Sequence, residues 1–166
     1  YMFREAHNYF LKLNLTVLAT MGILLAGCGG IPEAGTQTSE KKVVVCTTTI
    51  IEDLCQVLAS DTLNIRGIMK AGEDPHIYEL TPQDTILISS ADLILMNGLN
   101  LEAQMGNVIN KQAKGKVTKL TNDTRIITAE EEDGAPDPHC WFHPEFYKIY
   151  LEKARTALIE IDPDLS

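Results

Sequence analysis

Short apolar runs alternate with helical patterns along residues 42–161, and this alternation limits the possible folds more than any other feature. The expected strands are 42–46, 63–69, 92–97 and the weaker 116–120. The expected helices are 51–60, 81–90, 101–114 and 144–161. Strands and helices that alternate at such short spacing predict parallel βαβ units with right-handed crossovers. We therefore expect an α/β fold with a parallel four-stranded sheet flanked by helices.

The helix expected at residues 81–90 has the clearest start signal. Thr81 is a favoured N-cap residue, Pro82 suits the first helical position, and Asp84 stands at the capping-box position. In the helix expected at residues 51–60, helical spacing predicts a buried face made of four apolar residues: Ile51, Leu54, Val57 and Leu58.

The tripeptide Asp-Pro-His occurs at residues 74–76 and again at 137–139, although the chain has only four histidines. Random order would give about 0.01 copies. Proline stiffens the backbone before each histidine, and imidazole is the commonest protein ligand for metals. Because ligands collect at the carboxyl ends of parallel strands, His76 and His139 are expected to meet at one sheet edge and bind Mn²⁺, Zn²⁺ or a similar ion. The alternative is that each is a loop histidine donating to a backbone carbonyl.

Several neighbours of the two histidines have simpler expected roles. Asp74 and Asp137 are expected to fix their loops, with the alternative that they stand behind the metal ligands and orient them. Trp141 and Phe142 are expected to anchor the second loop in the core. The acidic run 130–133 is expected to be a solvated loop, with loose attraction of cations as the alternative.

A third histidine raises the possibility of catalysis. His143 follows His139 by four residues, which on a continuous helix would put both on one face. Pro138 and Pro144 argue against a regular helix there, so an exposed or capping residue is expected. A zinc hydrolase would need His76, His139 and His143 to converge on one ion with a bound water. The sequence has no nucleophile elbow, phosphate loop or dinucleotide fingerprint, and we expect no enzyme.

The amino-terminal segment has the pattern of a bacterial lipoprotein signal. A basic flank precedes an apolar run too short for a comfortable membrane span, and the run ends in Leu-Ala-Gly-Cys at residues 25–28. Residues 1–27 are therefore expected to be a signal peptide and Cys28 the lipidated residue. Residues 28–41, rich in Gly, Ser, Thr and Pro, are expected to be a flexible tether. The alternatives are an ordinary signal peptide or a buried helix with an incidental cysteine.

Charge and cysteine content restrict partners and compartment. The formal net charge is −9, and removing residues 1–27 makes it more negative, which argues against nucleic acid and anionic lipid headgroups as partners. An exported location permits disulfides. A Cys46–Cys55 disulfide is conceivable, and the alternative is that these thiols and Cys140 are buried and free.

Five segments in order carry a resemblance to a known family. They are VVCTTTII at 44–51, GEDPHIYE at 72–79, TP at 81–82, ADLILMNGLNLE at 91–102 and DPHCW at 137–141. In this order the chain resembles the manganese/zinc-binding lipoproteins that feed ABC importers. The resemblance extends over about residues 43–162, nearly all of the sequence after the tether.

The resemblance implies two α/β lobes joined by one long helix, with the metal ion in the cleft between them. His76 and His139 are then the ligands from the amino-terminal lobe, at residues 42–143, and residues 144–166 are the start of the linking helix. Two further ligands, commonly a carboxylate or histidine and then an aspartate, come from the other lobe. The chain stops at Ser166, so we expect a fragment that carries half of the site. His143 departs from the family, which often has Asp or Asn there.

The expected cargo is manganese in preference to zinc. Zinc-selective members of the family often carry a histidine-rich loop between the two ligand histidines, and none lies between His76 and His139. The resemblance implies an extracytoplasmic, lipid-anchored monomer that passes a divalent metal ion to an ABC permease. Besides the hydrolase, the remaining alternative is a surface adhesin or structural lipoprotein without a metal.

Overall fold

Four parallel strands form one sheet in the computed structural model, which describes residues 40–126, 128 and 134–165. They are β1 (Val43–Cys46), β2 (Asn64–Gly67), β3 (Leu93–Met96) and β4 (Lys116–Lys119), and their order across the sheet is β2-β1-β3-β4. In the central register, Val44 lies beside Ile65 of β2 and Leu93 of β3. The predicted parallel four-stranded sheet is confirmed, although every strand is shorter than expected.

Some of the predicted segments lie outside the described residues. They are the signal peptide at 1–27, the lipidated Cys28, nearly all of the tether at 28–41, and the acidic run 130–133. In the ranges that the structure does describe, no helix is both long enough and apolar enough to cross a membrane.

Helices cover both faces of the sheet. They are α1 (Thr49–Ala59), α2 (Pro82–Ser90), α3 (Ala103–Gln112) and α4 (Pro144–Ile161), with 3₁₀ turns at Cys140–Phe142 and Pro163–Leu165. Alternate strand residues face opposite sides. One set packs on α1 and α4, as Leu93 and Leu95 do, and the other packs on α2 and α3, as Ile94 and Met96 do. Burial on both faces explains why the two central strands, β1 and β3, are continuously apolar.

The start of α2 matches its sequence signal. The Thr81 hydroxyl oxygen accepts from the Asp84 backbone N–H at 3.3 Å, and the Asp84 carboxylate accepts from the Thr81 backbone N–H at 2.8 Å. Each side chain thus satisfies a backbone N–H of the first turn, which has no partner within the helix. This start directs the chain out of the loop that contains His76.

The predicted buried face of α1 contains one error. Ile51 and Leu54 are buried, but Val57 is 76% exposed. A residue six positions after Ile51 lies about 240° round an α-helix, away from the stripe that Ile51 begins. Cys55 and Ala59 occupy the buried stripe instead.

The three cysteines of the described residues are free and buried. Cys46 and Cys55 have no solvent exposure, and Cys140 is almost completely buried. The conceivable Cys46–Cys55 disulfide is therefore not formed, and the alternative of buried free thiols is confirmed. A hydrogen bond with the Cys55 thiol, followed by burial, raises the pKa of Cys46 well above its usual range, so this thiol stays protonated.

The α2 packing gives a matched test of the fold. Ile88 has no solvent exposure, whereas Ile86, two residues earlier on the same helix, is 67% exposed. We expect Ile88→Ala to lower the free energy of unfolding by about 2–5 kcal/mol because it leaves a cavity against β1 and β3. Ile86→Ala should change it by less than about 0.5 kcal/mol. Urea unfolding followed by circular dichroism measures both, and equal effects would contradict the packing described for α2.

Candidate metal site

The first Asp-Pro-His lies in the loop between β2 and α2. The Asp74 carboxylate accepts a hydrogen bond from the His76 backbone N–H at 2.9 Å. A carboxylate that bonds the backbone two residues later holds a tight turn. Asp74 therefore fixes the loop, as expected, and leaves the His76 ring exposed to solvent.

The second Asp-Pro-His lies just before the 3₁₀ turn. The Oδ1 atom of Asp137 accepts from the His139 backbone N–H at 2.9 Å and lies 2.8 Å from Nδ1 of the same ring. The backbone bond, and then the ring bond, lower the pKa of Asp137 below its ordinary value. The carboxylate therefore stays ionised to lower pH than a free aspartate does, and it loses this pair of bonds only as the pH falls through the lowered pKa. Asp137 both fixes its loop and orients the imidazole.

The Asp137 carboxylate also decides the tautomer of His139. An ionised carboxylate can only accept, so Nδ1 must carry a proton, and in the neutral ring Nε2 then carries the lone pair. That lone-pair nitrogen lies 3.4 Å from Nε2 of His76, with the two ring planes tilted by 52°. The structure thus brings together the two histidines singled out by the repeated tripeptide, and they meet through their outer nitrogens.

The distance between the two Nε2 atoms suits a shared ion. Two imidazole nitrogens at 2.0–2.1 Å from one metal ion lie about 2.8–3.4 Å apart for right-angle to tetrahedral geometry. The observed 3.4 Å between His76 and His139 falls at the tetrahedral end. The His139 side chain is 36% exposed, and an open groove of about 400 Å³ lies beside it. Both imidazole rings are therefore at least partly open to solvent.

The anchor of the His139 loop is not the one expected. Phe142 is 78% exposed and Trp141 is only half-buried, so the prediction that both are core anchors is wrong. A 3₁₀ turn has three residues per turn, so successive side chains point in three directions and only one of them faces the core. Cys140 takes that direction. Trp141 instead packs edge-on against the His139 ring, with 5.2 Å between ring centroids.

His143 shares the lining of the groove beside His139 but packs on a different aromatic ring. It occupies the N-cap position of α4, is exposed, and packs its ring on Phe146 with 4.5 Å between centroids. This agrees with the expected exposed or capping residue. Among residues 40–126, 128 and 134–165, no group of three or more His, Cys, Asp or Glu side chains could hold a metal ion. The three-histidine centre of a zinc hydrolase is thus not formed by the described residues.

A buried polar group at the carboxyl ends of β1 and β3 was not expected from the sequence. Glu102 is 2% exposed, and its carboxylate accepts from the Thr47 hydroxyl at 2.7 Å and from the backbone N–H groups of Asn97 and Gly98 at 2.6 and 3.1 Å. These bonds join the carboxyl ends of β1 and β3. The available signal was a glutamate a few residues after a buried strand, at the end of the segment ADLILMNGLNLE.

The Glu102 carboxylate also holds an unusual turn. Gly98, Leu99 and Asn100 have φ values of +93°, +47° and +62°. Positive φ is costly for Leu, so the turn persists only where its surroundings fix it. Glu102 does so by accepting from the backbone at the start of the turn.

The structure is an α/β domain in which two imidazole nitrogens face each other at the carboxyl edge of a parallel sheet. The chain belongs to the family described as zinc-uptake complex component A, periplasmic, whose model matches residues 44–166.

Curated relatives share this assignment. The chain is 35% identical over 161 residues to the manganese ABC transporter substrate-binding lipoprotein scaA of Streptococcus gordonii, covering 92% of this chain and 51% of the relative. It is 30% identical over 148 residues to the manganese-binding lipoprotein MntA of Halalkalibacterium halodurans, covering 89% and 49%. The chain therefore spans about half the length of these relatives.

Solved structures give the same picture. The Mn-bound periplasmic metal binding protein of Candidatus Liberibacter asiaticus matches with a TM-score of 0.68 and 38% identity, over 75% of this chain and 47% of that one. The periplasmic zinc binding protein TroA of Treponema pallidum matches with a TM-score of 0.70 and 31% identity, over 75% and 46%. The matched region corresponds to one lobe of these two-lobed proteins.

The Asp137 bond to the His139 ring can be tested by nuclear magnetic resonance. In the metal-free chain at pH 8, the ¹⁵N shifts of His139 should show a protonated Nδ1 and a bare Nε2. Asp137→Ala removes the acceptor and should give a mixture of both tautomers. Asp74→Ala is the control, because Asp74 bonds the backbone of its own loop and not the His139 ring, so Nδ1 of His139 should stay the protonated nitrogen. A His139 tautomer that does not respond to Asp137→Ala would refute the orienting role.

Proposed function

We propose that this chain is the amino-terminal, metal-binding lobe of an extracytoplasmic receptor that captures a divalent transition-metal ion for an ABC importer. One observation carries the proposal: Nε2 of His76 and Nε2 of His139 face each other at 3.4 Å, open to solvent. His76 and His139 are the proposed ligands. Asp137 supports them by presenting the His139 lone pair, and Asp74 supports them by holding the His76 loop.

The proposed cargo is Mn²⁺ in preference to Zn²⁺. Two relatives are named for manganese, and one solved neighbour is Mn-bound. The chain has no histidine between His76 and His139, so it lacks a histidine-rich loop there. Another solved neighbour is a zinc binding protein, so zinc is the competing ion. Carboxylate ligands from outside the described residues would favour Mn²⁺, and extra nitrogen ligands would favour Zn²⁺.

The proposed domain plan assigns the metal-binding lobe to residues 42–143 and the start of a linking helix to residues 144–166. The matches over about half of each relative and each solved neighbour support this plan. Two histidines leave coordination positions open on any first-row ion, and the second lobe would fill them.

The proposed route to the membrane uses a lipid on Cys28 and the tether at residues 28–41, after removal of residues 1–27. The Leu-Ala-Gly-Cys segment and the lipoprotein names of the relatives support this. The proposed partner is the permease of an ABC importer, and nucleic acid is not a partner because the net charge is −9. We propose a monomer that binds and releases its ion without catalysing a reaction.

The ligand assignment is tested by titrating the purified full-length chain, in mild detergent, with Mn²⁺ and with Zn²⁺. His76→Ala and His139→Ala should each weaken binding of both ions at least about tenfold, because each removes one of only two ligands in this lobe. Isothermal calorimetry measures Zn²⁺ binding, and electron paramagnetic resonance of free Mn²⁺ measures Mn²⁺ binding.

His143→Ala is the matched control. It removes an exposed imidazole close in sequence to His139, but one that packs on Phe146 instead of the pair. Binding should stay within about twofold of wild type. Unchanged titrations in both ligand variants, or an equal loss in His143→Ala, would overturn the assignment.

A further inference from the structure

The Asn97 side chain hydrogen-bonds to three separate parts of the molecule. It follows β3, is 1% exposed, and its side-chain Nδ2 donates to the Gly98 carbonyl oxygen at 2.9 Å and to the Pro138 carbonyl oxygen at 3.0 Å. Its Oδ1 accepts from the hydroxyl of Tyr150 on α4. One buried amide therefore connects the end of the central strand, the Asp-Pro-His loop and the long terminal helix.

The bonding partners allow only one orientation of the Asn97 amide. The carbonyl oxygens of Gly98 and Pro138 can only accept, so the NH₂ group must face them. The amide oxygen then faces the Tyr150 hydroxyl, which must donate. Burial is the largest of the effects that raise the pKa of Tyr150 well above its ordinary range, so the hydroxyl keeps its proton. All three bonds together thus need a side chain with two N–H donors and one acceptor oxygen, as the Asn97 amide has.

The Pro138 carbonyl group is bonded directly to the backbone of His139. It belongs to the peptide bond whose nitrogen is the backbone nitrogen of His139. That nitrogen donates to Asp137, which also holds the ring. Peptide bonds are planar, so fixing the Pro138 oxygen fixes the direction of the His139 N–H. Pro138 is itself buried, and a buried carbonyl left without a donor is costly.

We propose that Asn97 is a positioning residue for the metal site. Its buried amide fixes the backbone orientation of His139 and connects that backbone to α4 through Tyr150. This inference rests on the proposed function. The three bonds of the buried amide then do more than satisfy polar groups in the core. They also control the position of His139 Nε2 relative to His76 Nε2. The bond to Tyr150 makes the geometry of the pair sensitive to the position of α4.

The experiment measures Co²⁺ binding to the full-length chain in mild detergent by visible absorption, with cobalt chloride as the probe. Asn97→Asp places a carboxylate oxygen against two carbonyl oxygens, so Co²⁺ affinity should fall about 10- to 100-fold and the absorption bands should change. Tyr150→Phe removes the bond that orients the amide, together with the interaction of the Tyr150 hydroxyl with the Cys140 thiol, and leaves both Asn97 N–H bonds in place, so a smaller, several-fold loss is expected.

Met105→Ala is the control for general loss of stability. Met105 is buried in the packing of α2 and α3 on the opposite face of the sheet from α4. This variant should lower the melting temperature but leave Co²⁺ affinity and the absorption bands unchanged. A loss of affinity in Met105→Ala that matches its loss of stability would overturn the inference.

Three further outcomes are distinguishable. If wild type binds Co²⁺ and folded Asn97→Asp binds it with the same affinity and spectrum, the positioning role is refuted while the proposed function stands. If Asn97→Asp does not fold, Tyr150→Phe decides, and wild-type affinity in that variant refutes the role. If wild type itself binds no Co²⁺ and no other divalent metal, the proposed function fails.

Discussion

The order of the four parallel strands is the constraint on which the site depends. The loop with His76 leaves β2 and the segment that leads to His139 leaves β4, and these are the two outer strands. Three strand spacings separate them, about 14 Å. Both segments must therefore turn inward over the carboxyl ends of β1 and β3 before their imidazoles can meet. The meeting point lies at the edge where parallel α/β sheets bind ligands.

The two segments need hydrogen-bonding partners to keep this inward path. Polar groups at the carboxyl ends of β1 and β3 provide them. Glu102 joins the ends of β1 and β3 and fixes the turn that follows β3. Asn97, at the start of the same turn, holds the Pro138 carbonyl. Within each Asp-Pro-His, the aspartate then closes the local turn. Hydrogen bonds therefore fix first the strand ends, then the loops and finally the His139 ring.

Features set by periodicity or by local chemistry were predictable from the sequence. Alternating apolar runs indicated the parallel sheet, Thr81 indicated the capping box, and the repeated tripeptide indicated that His76 and His139 would meet. Each of these signals involves residues close together in the sequence or follows from the general geometry of parallel sheets. The residue types alone therefore indicate these three features.

Features set by tertiary packing were not predictable. An aromatic pair such as Trp141-Phe142 looks like a core anchor, but a 3₁₀ turn directs only one side chain inward, and that is Cys140. Asn97 and Glu102 are ordinary polar residues in a sequence. Their roles depend on carbonyl, hydroxyl and N–H groups brought near by the fold, and Pro138 is 41 residues away along the chain. No local pattern encodes such a partner.

A pair of solvent-open ligands suits a carrier better than a structural centre. Two imidazoles leave coordination positions free, whereas structural zinc sites are closed by four protein ligands. A carrier must release its ion as well as bind it. A site divided between two lobes can do so by separating them, and the match of this chain to about half of each relative is consistent with such a division.

X-ray absorption spectroscopy of the Zn²⁺-loaded chain would identify the atoms bound to the metal. If His76 and His139 are the ligands, the spectrum should contain two imidazole nitrogens at about 2.0–2.1 Å, with oxygen from water completing the shell. His76→Ala and His139→Ala should each reduce the imidazole contribution to one. A spectrum with no imidazole scattering, or one unchanged in both variants, would show that this histidine pair does not bind the ion.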